Sequence, residues 1–244
     1  MHEQQGALPV WFGRAKHKDA QYLTAWRDAA LTYLPETELD SSWNIDRYEV
    51  ILGRDPSGAL FQRAAQLTLR NQFYPSEVMT SVSDFGLADR LVRAGDRIVQ
   101  RIRVFQYNTM PVLEVLTMNE IIQVIDEPRR AGFTYTTTEA HSEIGEWSPR
   151  VEWRDDGEVA LIIEVVSRSL PGASALSRKL TRHLQLRAHA LSIESFRTLL
   201  AGKVYRPQRS VPTAAGHLAP FATAGITALL VYLLMRRSRR HREA

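Results

Sequence analysis

Residues 78–169 form one long stretch in which β-branched, aromatic and aliphatic residues alternate with polar ones at a period of two. No segment inside this stretch has a helical period, and Asp155-Asp156-Gly157 is a strong hairpin turn. Parallel strands need crossover connections of a dozen residues or more, so this stretch predicts an antiparallel sheet. Its predicted strands are Arg97–Phe105, Val112–Asp126, Arg130–Thr138, Ser148–Arg154 and Glu158–Ser167.

Helical patterns flank the predicted sheet. A first strand at Asp46–Leu52 is followed by a helix through residues 60–69, and a long helix runs from Pro171-Gly172 to Leu200. The long helix carries an apolar stripe of Leu176, Leu180, Leu184, Ala188 and Leu191. Strand, helix, antiparallel meander and one long C-terminal helix is the order of an α+β helix-grip fold. In such a fold the sheet wraps around the terminal helix and leaves an apolar cavity between them.

Residues 218–235 contain no charged side chain. At about 1.5 Å per residue this segment spans roughly 27 Å, which is close to the ~30 Å hydrocarbon core of a bilayer. It therefore predicts one C-terminal transmembrane helix. The tail behind it, residues 236–244, carries a net charge of +4, which is the net charge of the whole chain. The remainder is neutral and lacks the basic surface that phosphate binding needs, so we expect no nucleic-acid partner.

We divide the chain into five parts. Residues 1–34 are an extension with a short amphipathic helix ending near Leu34, and residues 35–202 are the helix-grip domain. A linker (203–217), the span (218–235) and the basic tail (236–244) follow. The N-terminus has no basic start followed by an apolar stretch, so it does not resemble a secretory signal. We expect a single-pass C-terminal membrane anchor with the domain in the cytoplasm. The positive-inside rule alone would instead keep the tail there, so the orientation of the tail stays open.

Basic residues lie on both sides of the predicted span. In the long helix and the tail these are Arg178, Lys179, Arg182, Arg236, Arg237, Arg239 and Arg240. They are either an ordinary solvated surface or a surface that contacts anionic lipid headgroups.

The segment YTTTEAHSEIGEW, residues 135–147, contains the candidate metal-binding or catalytic residues. His141, Glu143 and Glu146 would form a metal or acid–base site only if a bend at Ile144-Gly145 brought them together, because Glu146 otherwise lies on the opposite face of a strand from Glu143. The same residues could instead close a hairpin end by hydrogen bonds or recognise a ligand at a cavity mouth. The chain has no cysteine and no GxSxG, HExxH, P-loop or GxGxxG motif, so we expect no metal and no cofactor.

Several short blocks carry a family resemblance. They are ILGRD (51–55), FQRAAQ (61–66), AGDRIVQR (94–101), DEPRRAGFTYTTTEAHSEIGEW (126–147) and SRS (167–169). Through these blocks residues 31–200 resemble the DUF1990 (UPF0548) family, whose members are similar to the START/Bet v 1 (SRPBCC) superfamily. The resemblance implies a helix-grip fold and a hydrophobic ligand, and it carries no established reaction. Asp55 stands where a glycine is common, and Ser169 replaces a usual proline.

These observations favour a membrane-anchored, non-enzymatic module that holds a lipid or another hydrophobic small molecule. Its candidate ligand-binding residues are Phe133, Tyr135, Trp147 and Arg168, the last either reaching an anionic headgroup in the cavity or forming a salt bridge to the sheet. One alternative is an accessory or assembly subunit of a membrane complex, with a partner bound through residues 218–235. Another is an enzyme that uses His141, Glu143 and Glu146.

Overall fold

The computed structural model describes residues 10–12, 19–107 and 110–205, and its elements follow the predicted order. The strands are β1 (Val10–Phe12), β2 (Asn44–Arg54), β3 (Met79–Ser83), β4 (Arg97–Tyr107), β5 (Met110–Glu127), β6 (Arg130–Thr137), β7 (Glu143–Trp153) and β8 (Glu158–Ser169). The helices are α1 (Ala20–Ala25), α2 (Ala59–Leu69), α3 (Asp84–Leu87) and α4 (Ala175–Leu200).

All strand pairs are antiparallel, in the order β2–β8–β7–β6–β5–β4–β3, with β1 on β5. The first long strand therefore pairs with the last one, while α2 intervenes between β2 and the meander that begins at β3. Helix α4 follows β8 and lies against one face of the sheet, which we call the concave face. This arrangement confirms the antiparallel sheet and the long C-terminal helix of the predicted helix-grip fold.

The core of the domain is aromatic. Phe73 stacks on Phe196 of α4 with ring centroids 4.9 Å apart and meets Trp147 edge to face at 5.0 Å. Phe61 of α2 and Phe133 of β6 are buried in the same cluster. Because Phe196 is fully buried, the C-terminal half of α4 is fixed to the concave face by apolar packing.

The N-terminal helix is shorter than predicted. Helix α1 ends at Ala25, whereas the sequence pattern continued to Leu34. The chain beyond it pairs with the sheet instead, because Leu31 forms a bridge to Thr138 and the Thr32 N–H donates to the carbonyl of Thr137. Hydrogen bonds to the C-terminal end of β6 therefore replace the helical ones that the spacing of the apolar residues had indicated.

Asp55 has a local role in the turn after β2. Its carboxylate accepts hydrogen bonds from the backbone N–H groups of Ser57 and Leu60, at 2.9 and 2.7 Å. Its own N–H donates to the carbonyl of Gly157. The aspartate at this position thus closes the turn and satisfies a free N–H at the start of α2.

None of the helices in the part of the chain described above is long and apolar enough to cross a membrane. The predicted span 218–235 and the arginines of the tail, 236–240, lie outside the described residues. The membrane anchor remains a prediction.

Candidate functional site

Strand β7 starts five residues earlier than predicted and contains the glutamates of the candidate site. Gly145 lies inside this strand and pairs with Ser167, with a φ of 150° and no bend. Side chains of a strand alternate between its two faces. Glu143 therefore lies on the concave face with Trp147, and Glu146 lies on the opposite, convex face. The bend that a three-residue site requires is absent, so the side chains of Glu143 and Glu146 do not converge.

His141 closes the loop before β7. Its Nδ1 lies 3.0 Å from the backbone nitrogen of Glu143 and 3.1 Å from the backbone oxygen of the same residue. Burial lowers the pKa of His141 to about 4, and the imidazole is neutral at physiological pH. In the described residues no group of three histidine, aspartate or glutamate side chains is arranged to hold a metal ion. The geometry matches the interpretation in which hydrogen bonds close a loop.

Glu146 has a different environment from Glu143. Burial raises the pKa of Glu146, and the neighbouring carboxylate of Glu164 raises it further. Tyr33 lies close enough for the charge of Glu146 to contribute to the raised pKa of its hydroxyl. Glu146 thus belongs to the convex surface that the N-terminal segment covers.

The Glu143 carboxyl lies on the concave face, deep among protein atoms. Burial raises its pKa to about 7, and the charge of Arg182 acts in the opposite direction. No residue of the described ranges forms a hydrogen bond or an ion pair with this carboxyl, and the side chain is only half-buried. The carboxyl is thus crowded by protein atoms, although the residue as a whole keeps accessible surface. Tyr74 has the same combination of deep position and accessible surface.

Arg182 projects from α4 toward the sheet rather than toward a membrane. Both of its terminal nitrogens donate to the carboxylate of Asp46 on β2, at 2.5 Å each. One of them also donates to Gln185, whose amide nitrogen donates to the hydroxyl of Ser167 on β8. Arg182 is therefore removed from the predicted membrane-facing set because its ion pair fixes α4 to β2. Arg178 and Lys179 are exposed, and their contact with lipid remains a prediction.

His189 lies two turns beyond Arg182 on the same face of α4. It is 4% exposed, and its ring centroid is 5.5 Å from that of Tyr48. Neither of its ring nitrogens has a hydrogen-bond partner in the described structure. Burial lowers the pKa of His189 to about 4, so it contributes no charge near pH 7. A buried polar group without a partner costs about 1–3 kcal/mol, which water or a ligand would offset.

Three of the predicted ligand-binding residues lie together on the concave face. Tyr135 and Trp147 have ring centroids 5.2 Å apart, and Phe133 lies 5.9 Å from Trp147. Arg168 does not join them. It lies on the convex face, where its guanidinium stacks over the ring of Trp43 at 4.4 Å. The prediction that Arg168 points into the cavity was wrong because strand alternation turns Ser167 inward and Arg168 outward.

The apolar stripe of α4 is not its most buried face. The buried residues of α4 are His189, Ser192, Ser195 and Phe196. Leu180, Leu184, Ala188 and Leu191 are half-buried and join none of the apolar clusters that the described side chains form. We call these four residues the leucine flank. A polar i, i+3, i+7 pattern of Arg182, Gln185 and His189 was the sequence signal for the inward face, and apolar periodicity alone does not detect it.

The orientation of the leucine flank follows from helix geometry. Leu180 and Leu184 stand two residues before and after Arg182, which places them about 160° around the helix from it. Because Arg182 faces β2, the flank faces away from that edge.

Two further hollows lie on the outside of the domain. One, of about 450 Å³, lies on the outer side of α4 between Ile193 and Lys203. The other, of about 310 Å³, lies between α2 and the β5–β6 turn at Pro128. Neither is the space between α4 and the concave face.

The pKa of Glu143 predicts a pH-dependent stability. A carboxyl whose folded pKa is near 7 and whose unfolded pKa is near 4.5 destabilises the folded state as pH rises between these values. We expect Glu143→Gln to raise the free energy of unfolding at pH 8 by roughly 1–3 kcal/mol and to change it little at pH 5. The measurement is urea unfolding of both proteins at the two pH values. Exposed Glu36→Gln is the control, and an equal effect of Glu143→Gln at both pH values would contradict the assignment.

Comparisons with known proteins agree with the sequence blocks noted above. The sequence profile of the family described as "Domain of unknown function (DUF1990)" matches residues 27–195. No curated protein matches the chain.

Similar solved structures are distant in sequence. Hypothetical protein jhp0584 from Helicobacter pylori is 15% identical, with a TM-score of 0.46, and the alignment covers 70% of this chain and 99% of that one. Ara h 8.0201 is 10% identical, with a TM-score of 0.41, and the alignment covers 66% of this chain and 99% of that one. The protein of unknown function SA2116 from Staphylococcus aureus is 9% identical, with a TM-score of 0.42, and the alignment covers 67% of this chain and 98% of that one.

Proposed function

We propose that this chain, which belongs to the DUF1990 family, is a binding module that holds a hydrophobic small molecule between α4 and the concave face of its sheet. The observation that carries the proposal is the leucine flank. Leu180, Leu184 and Leu191 are apolar, half-buried and outside every packed cluster of the described residues. Burying apolar surface stabilises a protein by about 25 cal/mol per Å². An apolar ligand that covered these side chains would supply this stabilisation.

The opposite wall of the proposed site supports the same conclusion. It is formed by aromatic side chains of the core. Tyr135 and Trp147 are buried there, and the half-buried Tyr74 packs beside them with its ring 5.8 Å from that of Trp147. An apolar wall with a few polar groups at one end is the usual lining of a small-molecule site.

We also propose that residues 218–235 anchor the domain in a membrane. This proposal rests on the uncharged length of the segment and on the basic residues behind it. A lipid or another membrane-derived molecule would then be the nearest source of an apolar ligand.

Native mass spectrometry of the full chain purified from membranes, with extraction of bound lipids, tests the binding function. We expect one apolar molecule per domain. Leu184→Asp should abolish its retention, because a carboxylate on the leucine flank would have to be buried against the ligand. Leu186→Asp, on the exposed side of the same helix, should leave binding intact.

A second variant separates ligand loss from misfolding. Ala188→Phe adds volume to the leucine flank without charge and should displace the ligand while the melting temperature is preserved. An empty wild-type domain that arrives with a stoichiometric membrane protein would contradict the binding function and favour the assembly-subunit alternative.

A further inference from the structure

The first long strand of the sheet has a free edge. Strand β2 pairs with β8 on one side, and no strand of the described ranges pairs with its other side. It is eleven residues long, and such an edge presents a row of backbone N–H and C=O groups to which another strand can add. At Ile51 the backbone carbonyl accepts a hydrogen bond from the exposed side chain of Arg197. The edge is therefore open to donors from outside β8.

Alternate residues of β2 face the convex side and stay exposed. Asp46 is turned to α4, where it pairs with Arg182, so the odd-numbered residues on either side of it lie on the convex face. Two of these are isoleucines that are 67% and 43% exposed. Large apolar side chains beside an open edge favour association with another strand. The convex residues of the edge are Ile45, Arg47, Glu49 and Ile51.

The order of these four residues is self-complementary. When two identical strands pair antiparallel about a two-fold axis at Tyr48, residues equally far before and after that position face each other. Ile45 then faces Ile51 of the second copy, and Arg47 faces Glu49 of the second copy. An axis one position earlier would set Arg47 against itself, and an axis one position later would do the same to Glu49. Like charges directly opposite are destabilising, so the charges select the register centred on Tyr48.

The two charged residues keep capacity for a second partner. Arg47 donates to Glu164 and Glu49, at 2.9 and 3.1 Å, within one copy. Glu49 also accepts from Arg154. The side chains of Arg47 and Glu49 nevertheless stay 52% and 38% exposed, and a guanidinium has five N–H donors. Charges of one sign on this edge would repel a second copy, whereas one of each sign, placed symmetrically about Tyr48, attracts it.

The outer side of α4 borders the same edge. Arg197, which reaches the backbone of β2, lines the hollow of about 450 Å³ together with Ala190 and Ile193. Leu186, one turn before Ala190, is 42% exposed. A second copy that pairs along β2 would lie against this side of the helix as well. The strand edge and the helix thus form one continuous surface.

We propose that β2 and the outer side of α4 form the interface of a symmetric dimer, in which β2 pairs antiparallel with β2 of a second copy about Tyr48. Two-fold symmetry uses the same patch on both copies, as a self-complementary patch requires. Backbone hydrogen bonds join the two sheets, and the opposite charges fix the register. The dimer is independent of any ligand held between α4 and the sheet.

Sedimentation of the full chain in a mild detergent, over a series of concentrations, tests the dimer. We expect the unaltered chain to dimerise. Arg47→Glu and Glu49→Arg should each raise the dissociation constant at least about tenfold, because each sets like charges opposite each other twice. An equimolar mixture of the two variants should recover the dimer, since their charges are complementary. Arg130→Glu is the control, because Arg130 is 48% exposed and lies on β6, and it should leave dimerisation unchanged.

Three results would overturn the dimer interface. One is an unaltered chain that stays monomeric at every concentration. Another is a dimer that survives both charge reversals, since association through residues 218–235 would then account for it. The third is a mixture of the two variants that stays monomeric, because the losses seen with each variant would then come from misfolding.

Disulfide trapping tests the register. The chain has no cysteine, so every cross-link comes from introduced residues. Ile45→Cys mixed with Ile51→Cys should give a covalent dimer, because residues directly opposite in antiparallel strands have Cα atoms about 4.5–5.5 Å apart, within reach of a disulfide. Either variant alone should give none, since its two cysteines would lie about 20 Å apart along the strands. Cross-linking of either variant alone, or none in the mixture, would overturn the register centred on Tyr48.

Discussion

Gly145→Ala is expected to lower the free energy of unfolding by more than about 3 kcal/mol, because the added methyl group has no space. A Cβ at this position would lie 1.9 Å from the carbonyl oxygen of Val166 and 2.8 Å from the Cα of Ser167. Both contacts are to the backbone of β8, so relief would require separating β7 from β8. The φ of 150° adds conformational strain for any residue other than glycine.

Urea unfolding followed by tryptophan fluorescence measures this loss. Gly172→Ala is the matched control. Gly172 also has a positive φ, of 80°, but a Cβ there would meet no atom within 4 Å. Gly172→Ala should therefore lower the free energy of unfolding by only about 1–2 kcal/mol, the cost of a left-handed backbone conformation for a residue with a Cβ. Equal losses for the two variants would show that the contact with β8 is not the reason that glycine is required at position 145.

Phe196→Ala is expected to lower the free energy of unfolding by about 3–5 kcal/mol, the usual range when a fully buried phenylalanine is replaced by alanine. Phe196 has no exposed surface and stacks on Phe73, which in turn contacts Trp147. Removing the ring leaves a cavity at the position where α4 is held to the concave face. Leu186→Ala, at a side chain that is 42% exposed, should cost less than about 0.5 kcal/mol.

Thermal unfolding gives the size of this effect, and amide hydrogen exchange locates it. In Phe196→Ala we expect faster exchange in α4 than in β7, because the helix loses its main apolar contact while the strand keeps its hydrogen bonds to both neighbours. Uniform exchange across the domain would instead indicate that α4 and the sheet unfold together.

The sequence was sufficient for the order of elements and for the class of fold. Period-two patterning without a crossover requires antiparallel pairing, and the Asp155-Asp156-Gly157 turn fixes the hairpin of β7 and β8. The structure places Phe133, Tyr135 and Trp147 on one face, which the sequence analysis did not predict because Trp147 lay outside the predicted strand Ser148–Arg154. The short early strand β3 and the true start of β7 were not predicted. β3 is only five residues long, and β7 begins in a polar segment with a glycine.

The tertiary structure decided which side chains face each other. Apolar periodicity on α4 suggested the leucine flank as the inward face, yet Arg182, Gln185 and His189 are turned to the sheet because Asp46, Ser167 and Tyr48 lie opposite them. Likewise, the spacing of His141, Glu143 and Glu146 permitted a shared site, and the continuous pairing of β7 with β8 separates the two glutamates. The periodicity of a local sequence pattern predicts whether a segment is a helix or a strand, but not which other element it packs against. Asp46 and Tyr48 lie more than a hundred residues before Arg182 and His189 in the chain, and only folding brings these pairs together.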